Sequence, residues 1–451
     1  MLKLNPTTSK ARQRGVVAII VALSMLALVG AVGLALDGGR LFVTKTELQN
    51  SADACALAAA KELTSPPLNL VVFTRAENAG ITVGEFHKRD FQNNAANLIV
   101  DQSVTFSDTL NGIYAVKGAA PANSKYARCT VERTGIVPWF MQVLGAGAQS
   151  VASTAVATLA PSQTNCAIPL GLCTCPGQPA PNFGLVPGTW YETKFAPGDG
   201  KDPPADPSAT SCVPEAPTGN FNWIDFNPGV TTAPCDGNGV NELACVMKKG
   251  QCSLPPVGPA ICPNGNAPPA GCVGATGAAQ ALDKAYNTRF GLYAPGKGGK
   301  GISPEDLAAA PPDFTGHAYT PDNWKAAAPQ NAYSGNAGNP NFRAARTAHT
   351  AYAGSAPNNI EVADTNLLQK AGADRRVTIL PIVSCPAYVA GQNVPVLGYA
   401  CVLLLNPFFS PGDPVRVEYL GSASDPGSPC VTSGVVGGPS SIGPMVPALV
   451  Q

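Results

Sequence analysis

The run from Gly15 to Leu36 contains no charged side chain, and it limits the possible folds more than any other feature of the sequence. At about 1.5 Å of rise per residue, a helix over these 22 residues can cross a hydrocarbon layer roughly 30 Å thick. Only basic charges precede the run within residues 1–14, and charges of both signs follow it. This distribution predicts a single-pass transmembrane helix at 15–36, a cytoplasmic basic segment before it, and a body outside the cytoplasm.

A cleaved export signal is the alternative interpretation of the same run. Gly33-Leu34-Ala35 fits a cleavage site, but the apolar region of a signal peptide usually spans about 7 to 15 residues. The following sequence continues as a helix, because at about 100° per residue a stripe of small and apolar side chains runs along one face. The stripe consists of Leu41, Leu48, Ala52, Cys55, Ala59 and Leu63. We therefore expect one helix from about residue 16 to 64, with a helical extension at 37–65.

The cysteines indicate a cross-linked body. Of the 14 cysteines, 12 form an even set in the Pro- and Gly-rich part of the chain, which favours disulfides in an oxidising compartment. Metal binding is the alternative, and it is typically marked by CxxC pairs or Cys/His knuckles. The disulfide candidates are Cys166, Cys173, Cys175, Cys212, Cys235, Cys245, Cys252, Cys262, Cys272, Cys385, Cys401 and Cys430.

The body is predicted to belong to the α+β class. Residues 66–160 indicate a small α+β unit, and residues 161–375 a Cys/Pro/Gly-rich region dominated by loops. Residues 376–451 indicate a β-rich segment that ends in a flexible tail. The elements predicted in the small unit are strands at 70–73, 112–118, 126–133 and 150–159, and a short helix that starts at Pro138 and ends at Gly145.

The N-terminal segment carries a recognisable pattern. Arg14-Gly15 precedes the apolar run, and the pattern continues with Asp37, Gly39-Arg40, Leu48-Gln49-Asn50, Ala52-Asp53-Ala54 and Ala58-Ala59-Ala60. It resembles the N-terminal segment of the TadG-like proteins of Tad (tight adherence, Flp pilus) systems. Residues 126–159 are similar to the strand, short helix and strand that commonly follow in this family. The resemblance implies a bacterial inner-membrane protein whose partners are other pilus-assembly or secretion proteins.

One position departs from the processed precursors related to this family. Those precursors usually carry a glutamate five residues after the cleavage glycine. Counted from Gly15, that position is Ile20 in this chain. The departure favours an anchor that is retained in the mature protein.

Catalytic chemistry has no clear signature in the sequence. The three histidines, His87, His317 and His349, are far apart, and no Walker A, HExxH or nucleophile-elbow motif is present. We therefore expect no enzymatic activity, no cofactor and no metal site. Lysine plus arginine equals aspartate plus glutamate, at 29 each, which argues against nucleic acid as a partner.

Small residues along the helix predict how the protein interacts. Cys55 is either a small apolar side chain of the packing face or the site of a disulfide to a second chain. The leading hypothesis is a non-enzymatic, membrane-anchored component of a Tad/Flp-type pilus assembly system that contacts lipid, pilus-assembly proteins and copies of itself. The alternative is a membrane-tethered periplasmic adhesin or ligand-binding protein that shares only the anchor. The predicted helix-packing residues are Gly30, Gly33, Leu41, Leu48, Ala52, Cys55 and Ala59.

Overall fold

The chain folds into two compact units. The first comprises Met1–Ala160 together with Pro447–Gln451, and the second comprises Pro161–Val446. The computed structural model describes residues 14–64, 67–89, 94–95, 98, 102–174, 177–194, 223–226, 235, 239–259, 261–265, 269–276, 282–295, 301–335, 340–384, 391–410, 413–437 and 441–451.

The first unit begins with one helix of 48 residues, α1 (Arg14–Lys61). It confirms the predicted continuous helix, which runs from the apolar segment into the extension. The extension is rich in alanine, the residue with the highest helix propensity. From Leu48 onward, the stripe of small and apolar side chains is buried in the core of this unit.

The second helix, α2 (Leu70–Phe86), lies where the sequence indicated a strand at 70–73. Asn69 begins this helix, because its side-chain oxygen accepts hydrogen bonds from the backbone N–H groups of Val71, at 3.0 Å, and Val72, at 3.1 Å. An asparagine at this position satisfies N–H groups that the first helical turn leaves without partners. The strand prediction is wrong because four apolar, β-prone residues are too few to distinguish a strand from a helix.

Five strands follow α2: β1 (Lys88–Arg89), β2 (Asn94–Ala95), β3 (Val104–Ser107), β4 (Tyr126–Ile136) and β5 (Gln149–Thr164). The first two pair with each other, and β4 lies antiparallel between β3 and β5. The predicted strands at 126–133 and 150–159 are confirmed. The segment 112–118 instead contributes an isolated bridge between Ala115 and Phe106. The predicted short helix is a 3₁₀ helix (Met141–Leu144), and Gly145 ends it with a φ of 86°.

The second unit is organised around a mixed sheet. The elements of this unit are β6 (Leu172–Cys173), β7 (Trp190–Lys194), β8 (Trp223–Asp225), α3 (Val240–Lys249), β9 (Cys272–Thr276), α4 (Leu282–Asn287), a 3₁₀ helix (Thr288–Phe290), β10 (Leu292–Tyr293), α5 (Pro304–Ala309), α6 (Phe342–Thr347), β11 (Glu361–Val362), α7 (Thr365–Ala371), β12 (Val377–Val383), β13 (Asn393–Leu404), β14 (Val415–Ser422) and β15 (Val431–Val436). The path of the sheet runs β6-β12-β13-β14-β7, with β9 paired to β13 and β8 paired to β9.

Strand β12, which lies between β6 and β13, is buried along its whole length. Its side chains divide between two hydrophobic clusters: Ile379 and Val383 belong to one, and Leu380 and Ile382 belong to the other. Because successive side chains of a strand point to opposite faces, this division shows that the sheet is covered on both faces.

The regions predicted as 161–375 and 376–451 share this sheet. Strands β6 and β7 come from the first region and pair with β12 and β14 of the second. The last residues form a strand, β16 (Met445–Leu449), in place of the flexible tail that the sequence indicated. The backbone N–H of Val450 donates to the carbonyl of Val156 at 2.9 Å. The chain is thus α+β, with a long apolar N-terminal helix and a β-rich C-terminal region.

Candidate functional site

The apolar part of α1 is almost entirely exposed on the surface of the protein. Its most apolar 18-residue window is 6% buried, and its large side chains are exposed on all sides of the helix. Within the described residues, α1 is the one helix that is long and apolar enough to cross a membrane. A helix that is hydrophobic all round and not covered by protein fits a membrane anchor.

The extension of α1 packs closely against α2. A Cβ atom added to Gly80 would lie 3.2 Å from the Cβ of Ala59, and one added to Gly84 would lie 3.0 Å from the Cβ of Cys55. Only glycine therefore permits this approach without displacement of α1. Leu48, Ala52, Cys55 and Ala59, four of the predicted packing residues, are buried in this region. Within this chain they face α2 and the sheet of the first unit, and their role toward other chains stays a prediction.

A disulfide joins Cys55 of α1 to Cys129 of β4. This bond corrects the hypothesis of a disulfide to a second chain, because the sulfur of Cys55 is bonded within the same chain. The Cys55 side chain is nevertheless buried where α1 meets Gly84 of α2. The two cysteines are 74 residues apart. For a loop of that size, the loop-closure model predicts a stabilisation of about 4 kcal/mol. The bond fixes the helical extension to the sheet.

The predicted disulfide framework is present in the second unit. Its bonds join Cys166 to Cys252, Cys235 to Cys245, Cys262 to Cys272, and Cys401 to Cys430. Cys173 is also disulfide-bonded. The remaining candidates, Cys175, Cys212 and Cys385, lie outside the described residues.

Asp37 is the first residue of α1 after the apolar run. Its carboxylate binds the backbone of residues 137–141, which we call the 137–141 loop. The carboxylate accepts hydrogen bonds from three successive backbone N–H groups, those of Trp139 at 2.8 Å, Phe140 at 3.0 Å and Met141 at 2.8 Å. Burial raises the pKa of Asp37, but the three hydrogen bonds and the charge of Arg40 outweigh it, so the pKa lies below its usual value.

Arg40 holds the same loop from one turn further along α1. Its guanidinium donates a hydrogen bond to the carbonyl of Val137 at 3.1 Å. It also lies over the ring of Trp139, 4.5 Å from the ring centroid. This distance is within the range of a cation–π interaction. Asp37 and Arg40 thus hold the loop by both its N–H groups and its first carbonyl.

Gly33 provides room for the loop beside the apolar run. A Cβ atom added there would lie 3.0 Å from the Cβ of Phe140. Leu41 is half-buried and lines a cavity of about 260 Å³, together with Leu34 and Met141. Gly30, the other predicted packing residue, is half-buried.

The 137–141 loop presents apolar side chains outward. Trp139 is 57% exposed, Val137 is 55% exposed and Phe140 is 39% exposed. In the sequence, Asp37 and Gly39-Arg40 belong to the family pattern, but no role was predicted for them. The 137–141 loop was predicted only as the start of a helix. The available signal was an acidic residue that directly follows a long apolar run.

The expectations of no metal site and no enzymatic activity stay predictions. No group of three or more His, Cys, Asp or Glu side chains in the described part of the chain could hold a metal ion. The most perturbed carboxyl groups are Glu242, whose pKa burial and the neighbouring Asp225 raise to about 7, and Glu418, whose pKa burial raises to about 6. Glu418 accepts hydrogen bonds from Trp190, Ala332 and Tyr333, so its carboxylate holds these three residues together in the fold.

The geometry defines a class of protein: an α+β chain with an apolar N-terminal helix that fits a membrane anchor and continues into a folded, disulfide-bonded unit. Residues 15–62 match the family model Tad, described as "Putative Flp pilus-assembly TadE/G-like". The match coincides with α1 and confirms the resemblance inferred from the N-terminal pattern. It supports the involvement of the chain in a Tad system. No curated protein and no solved structure matches the chain.

Proposed function

We propose that this protein is a non-enzymatic, single-pass component of a Tad/Flp-type pilus assembly system, and that it acts through helix packing and contacts of its extracytoplasmic body. The observation that carries the proposal is the family match over 15–62, which coincides with the uncovered apolar helix and its extension. Asp37 and Arg40, two residues of the family pattern, hold the folded unit onto this helix.

Charge and disulfides support the orientation in the bacterial inner membrane. The basic residues before the apolar run favour a cytoplasmic N-terminus. The body contains disulfides in both units, and disulfides persist in oxidising compartments such as the periplasm. Both features agree on a periplasmic body.

The uncovered part of α1 supports contacts inside the membrane. Its small residues, Gly30 among them, allow a second helix to approach closely. The partners of this surface are lipid, pilus-assembly proteins and further copies of the chain. The body then supplies the contacts on the periplasmic side.

A deletion strain tests the proposal. We expect loss of the gene to abolish surface pili, measured as pilin sheared from intact cells, and the full chain to restore them. A chain whose residues 15–36 are replaced by an unrelated transmembrane helix of equal length should restore them poorly, because the packing surface is lost. Normal piliation in the deletion strain would refute the assembly role.

A tethered adhesin or ligand-binding protein is the second candidate, because the family match ends at residue 62 and the second unit has no matched relative. Two results would favour it: pilin reaches the surface normally in the deletion strain, and the chain with the replaced anchor restores attachment fully. Purification in detergent after cross-linking separates the candidates further, since pilus-assembly proteins should accompany the chain only in the first case.

A further inference from the structure

We propose that the 137–141 loop is a second membrane-contacting element, which inserts its apolar side chains into the lipid–water interface beside the anchor. The inference rests on the proposed function in one respect, the insertion of α1 into a bilayer. It assigns lipid as the partner of a surface outside the anchor itself.

The contacts of the loop fix its depth. Gly33 adjoins Phe140, and Asp37 and Arg40 bind the backbone of the loop. Gly33 is three residues before the end of the uncharged run, so at about 1.5 Å per residue the contact lies within about 5 Å of that end. The loop is therefore held at the level where hydrocarbon gives way to headgroups.

The exposed side chains of the loop suit that level. Val137, Trp139 and Phe140 are adjacent, apolar and open to the surroundings. Tryptophan is enriched at membrane–water interfaces, where its ring is in the apolar layer and its N–H reaches polar groups. Leu34 and Leu36 are exposed on the neighbouring turn of α1, so the apolar surface of the loop continues that of the anchor.

The backbone of the loop is prepared for an apolar environment. Lipid offers no hydrogen bonds to replace those of water, so polar backbone groups that meet it need partners within the protein. The N–H groups of Trp139, Phe140 and Met141 are bound by Asp37. The carbonyl of Val137 is bound by Arg40. Pro138 has no N–H group to satisfy.

The two charged side chains that hold the loop, Asp37 and Arg40, are themselves in contact with other groups of the protein. Asp37 is 6% exposed and its carboxylate accepts three hydrogen bonds, and Arg40 lies over the Trp139 ring. The Asp37 carboxylate is thus satisfied by backbone donors, and the Arg40 guanidinium is in contact with a backbone carbonyl and an aromatic face. This arrangement, together with the continuity with the anchor, favours lipid over a protein partner.

Brominated lipids provide the test. We expect phospholipids brominated near the headgroup end of their acyl chains to quench tryptophan emission of the full chain in phosphatidylethanolamine–phosphatidylglycerol vesicles. The quenching should be lost in Trp139→Phe, because Trp190, Trp223 and Trp324 lie in or against the core of the second unit. Bromine near the chain ends should quench less. Equal quenching in the wild type and Trp139→Phe would overturn the proposal.

Photo-cross-linking identifies the occupant directly. A benzoylphenylalanine placed at Trp139 should form an adduct with lipid, detected by mass. The matched control is the same substitution at Ile113, an apolar residue of the first unit that is 89% exposed and lies in a different loop, which should form no lipid adduct. An adduct at Trp139 with a second protein chain would overturn lipid as the partner.

Flotation of the vesicles distinguishes the two levels of failure. A chain that does not float with vesicles contradicts the membrane anchor, and the proposed function fails together with this inference. A chain that floats but shows neither quenching through Trp139 nor a lipid adduct leaves the anchor intact and refutes the interfacial loop alone.

Discussion

At the scale of single residues, Asp37 is a residue of the family pattern whose contacts explain what it does in the fold. One carboxylate binds three successive N–H groups that are about a hundred positions further along the chain, at distances of 2.8 to 3.0 Å. Such charge-assisted bonds are stronger than those between neutral groups. The residue therefore determines the conformation of the 137–141 loop and its attachment to α1.

Replacement of Asp37 by asparagine should release this loop. The amide keeps one acceptor oxygen but turns an N–H group toward backbone donors, so we expect faster hydrogen exchange at residues 139–141 in the full chain in detergent. Asp108→Asn, at an exposed aspartate of the same unit, is the control and should leave these rates unchanged. Because the pKa of Asp37 is lowered, its contribution is present above the usual value of 3.8 and is lost as the pH falls below it. Unchanged exchange in Asp37→Asn would contradict the described contacts.

Glu418 gives the second unit a pH dependence of the opposite sign. Burial raises its pKa from 4.5 to about 6, so between these values the folded state binds more protons than the unfolded state. Glu418 should therefore lower the free energy of unfolding by about 2 kcal/mol as the pH rises through this window. Glu418→Gln should remove this part of the decline and leave the part that Glu242 causes up to about pH 7, measured by denaturation of the full chain at a series of pH values. Glu132→Gln, at an exposed position, should keep it. A decline of equal size in Glu418→Gln would show that groups other than Glu418 cause it.

At the scale of elements, the pair of α1 and α2 depends on two glycines. Gly80 and Gly84 are spaced one helical turn apart, and each leaves room for side chains of α1. A larger residue at either position must push the helices apart, and overpacking of this kind typically costs about 1–3 kcal/mol.

We expect Gly84→Leu to lower the free energy of unfolding of the first unit by about 2 kcal/mol, visible as a lower melting temperature of the full chain in detergent. Gly39→Leu is the matched control, because Gly39 lies in a helix and an added Cβ meets no atom within 4 Å. Its melting temperature should equal or exceed that of the wild type, since leucine has the higher helix propensity. Equal melting temperatures of the two variants would show that the helices do not pack in this way.

The sequence predicted those elements whose pattern is long. The uncharged run and the stripe that follows it extend over almost fifty residues, and α1 agrees with the expectation to within a few positions. The alternation in 126–133 was equally clear. Leu70 to Phe73 was too short to reveal its period, although Asn69 as a helix cap and the spacing of Gly80 and Gly84 were signals of a helix.

The candidate site was harder to predict because it depends on residues that are distant in sequence. The pairing of Cys55 with Cys129 requires β4 to lie beside α1, and sequence spacing carries no information on that. The contact of Asp37 with the 137–141 loop could not be predicted for the same reason, because it also requires β4 to lie beside α1. The predicted stripe of small residues is buried within the same chain from Leu48 onward, and its role toward other chains stays a prediction.

At the scale of the whole molecule, the apolar run that fits a membrane anchor continues as one helix into the first unit without a linker. A continuous helix transmits the position and rotation of the anchor to the first unit. The disulfides in both units then keep a body with many loops compact, since each typically contributes about 2–4 kcal/mol.

The state of the N-terminus in the mature protein tests this arrangement. We expect the protein to stay in the membrane pellet after alkaline extraction and to retain residues 1–14, measured by mass spectrometry of the intact chain. A mature protein that begins at Val16 would indicate pilin-type processing. A soluble protein that begins near Leu36 would show that the apolar run is a cleaved export signal.

The bond between Cys55 and Cys129 has a mechanical consequence for a protein that is tethered at one end. Under the proposed anchoring, tension that enters from the N-terminal end of α1 passes to β4 through two sulfur atoms, because this covalent path is far shorter than the 74-residue separation along the backbone. The intervening chain, which includes α2 and β3, is spared the pull. A sheet strand thereby becomes the first element that force reaches through a covalent cross-link, and that strand is in turn hydrogen-bonded along its length to β5.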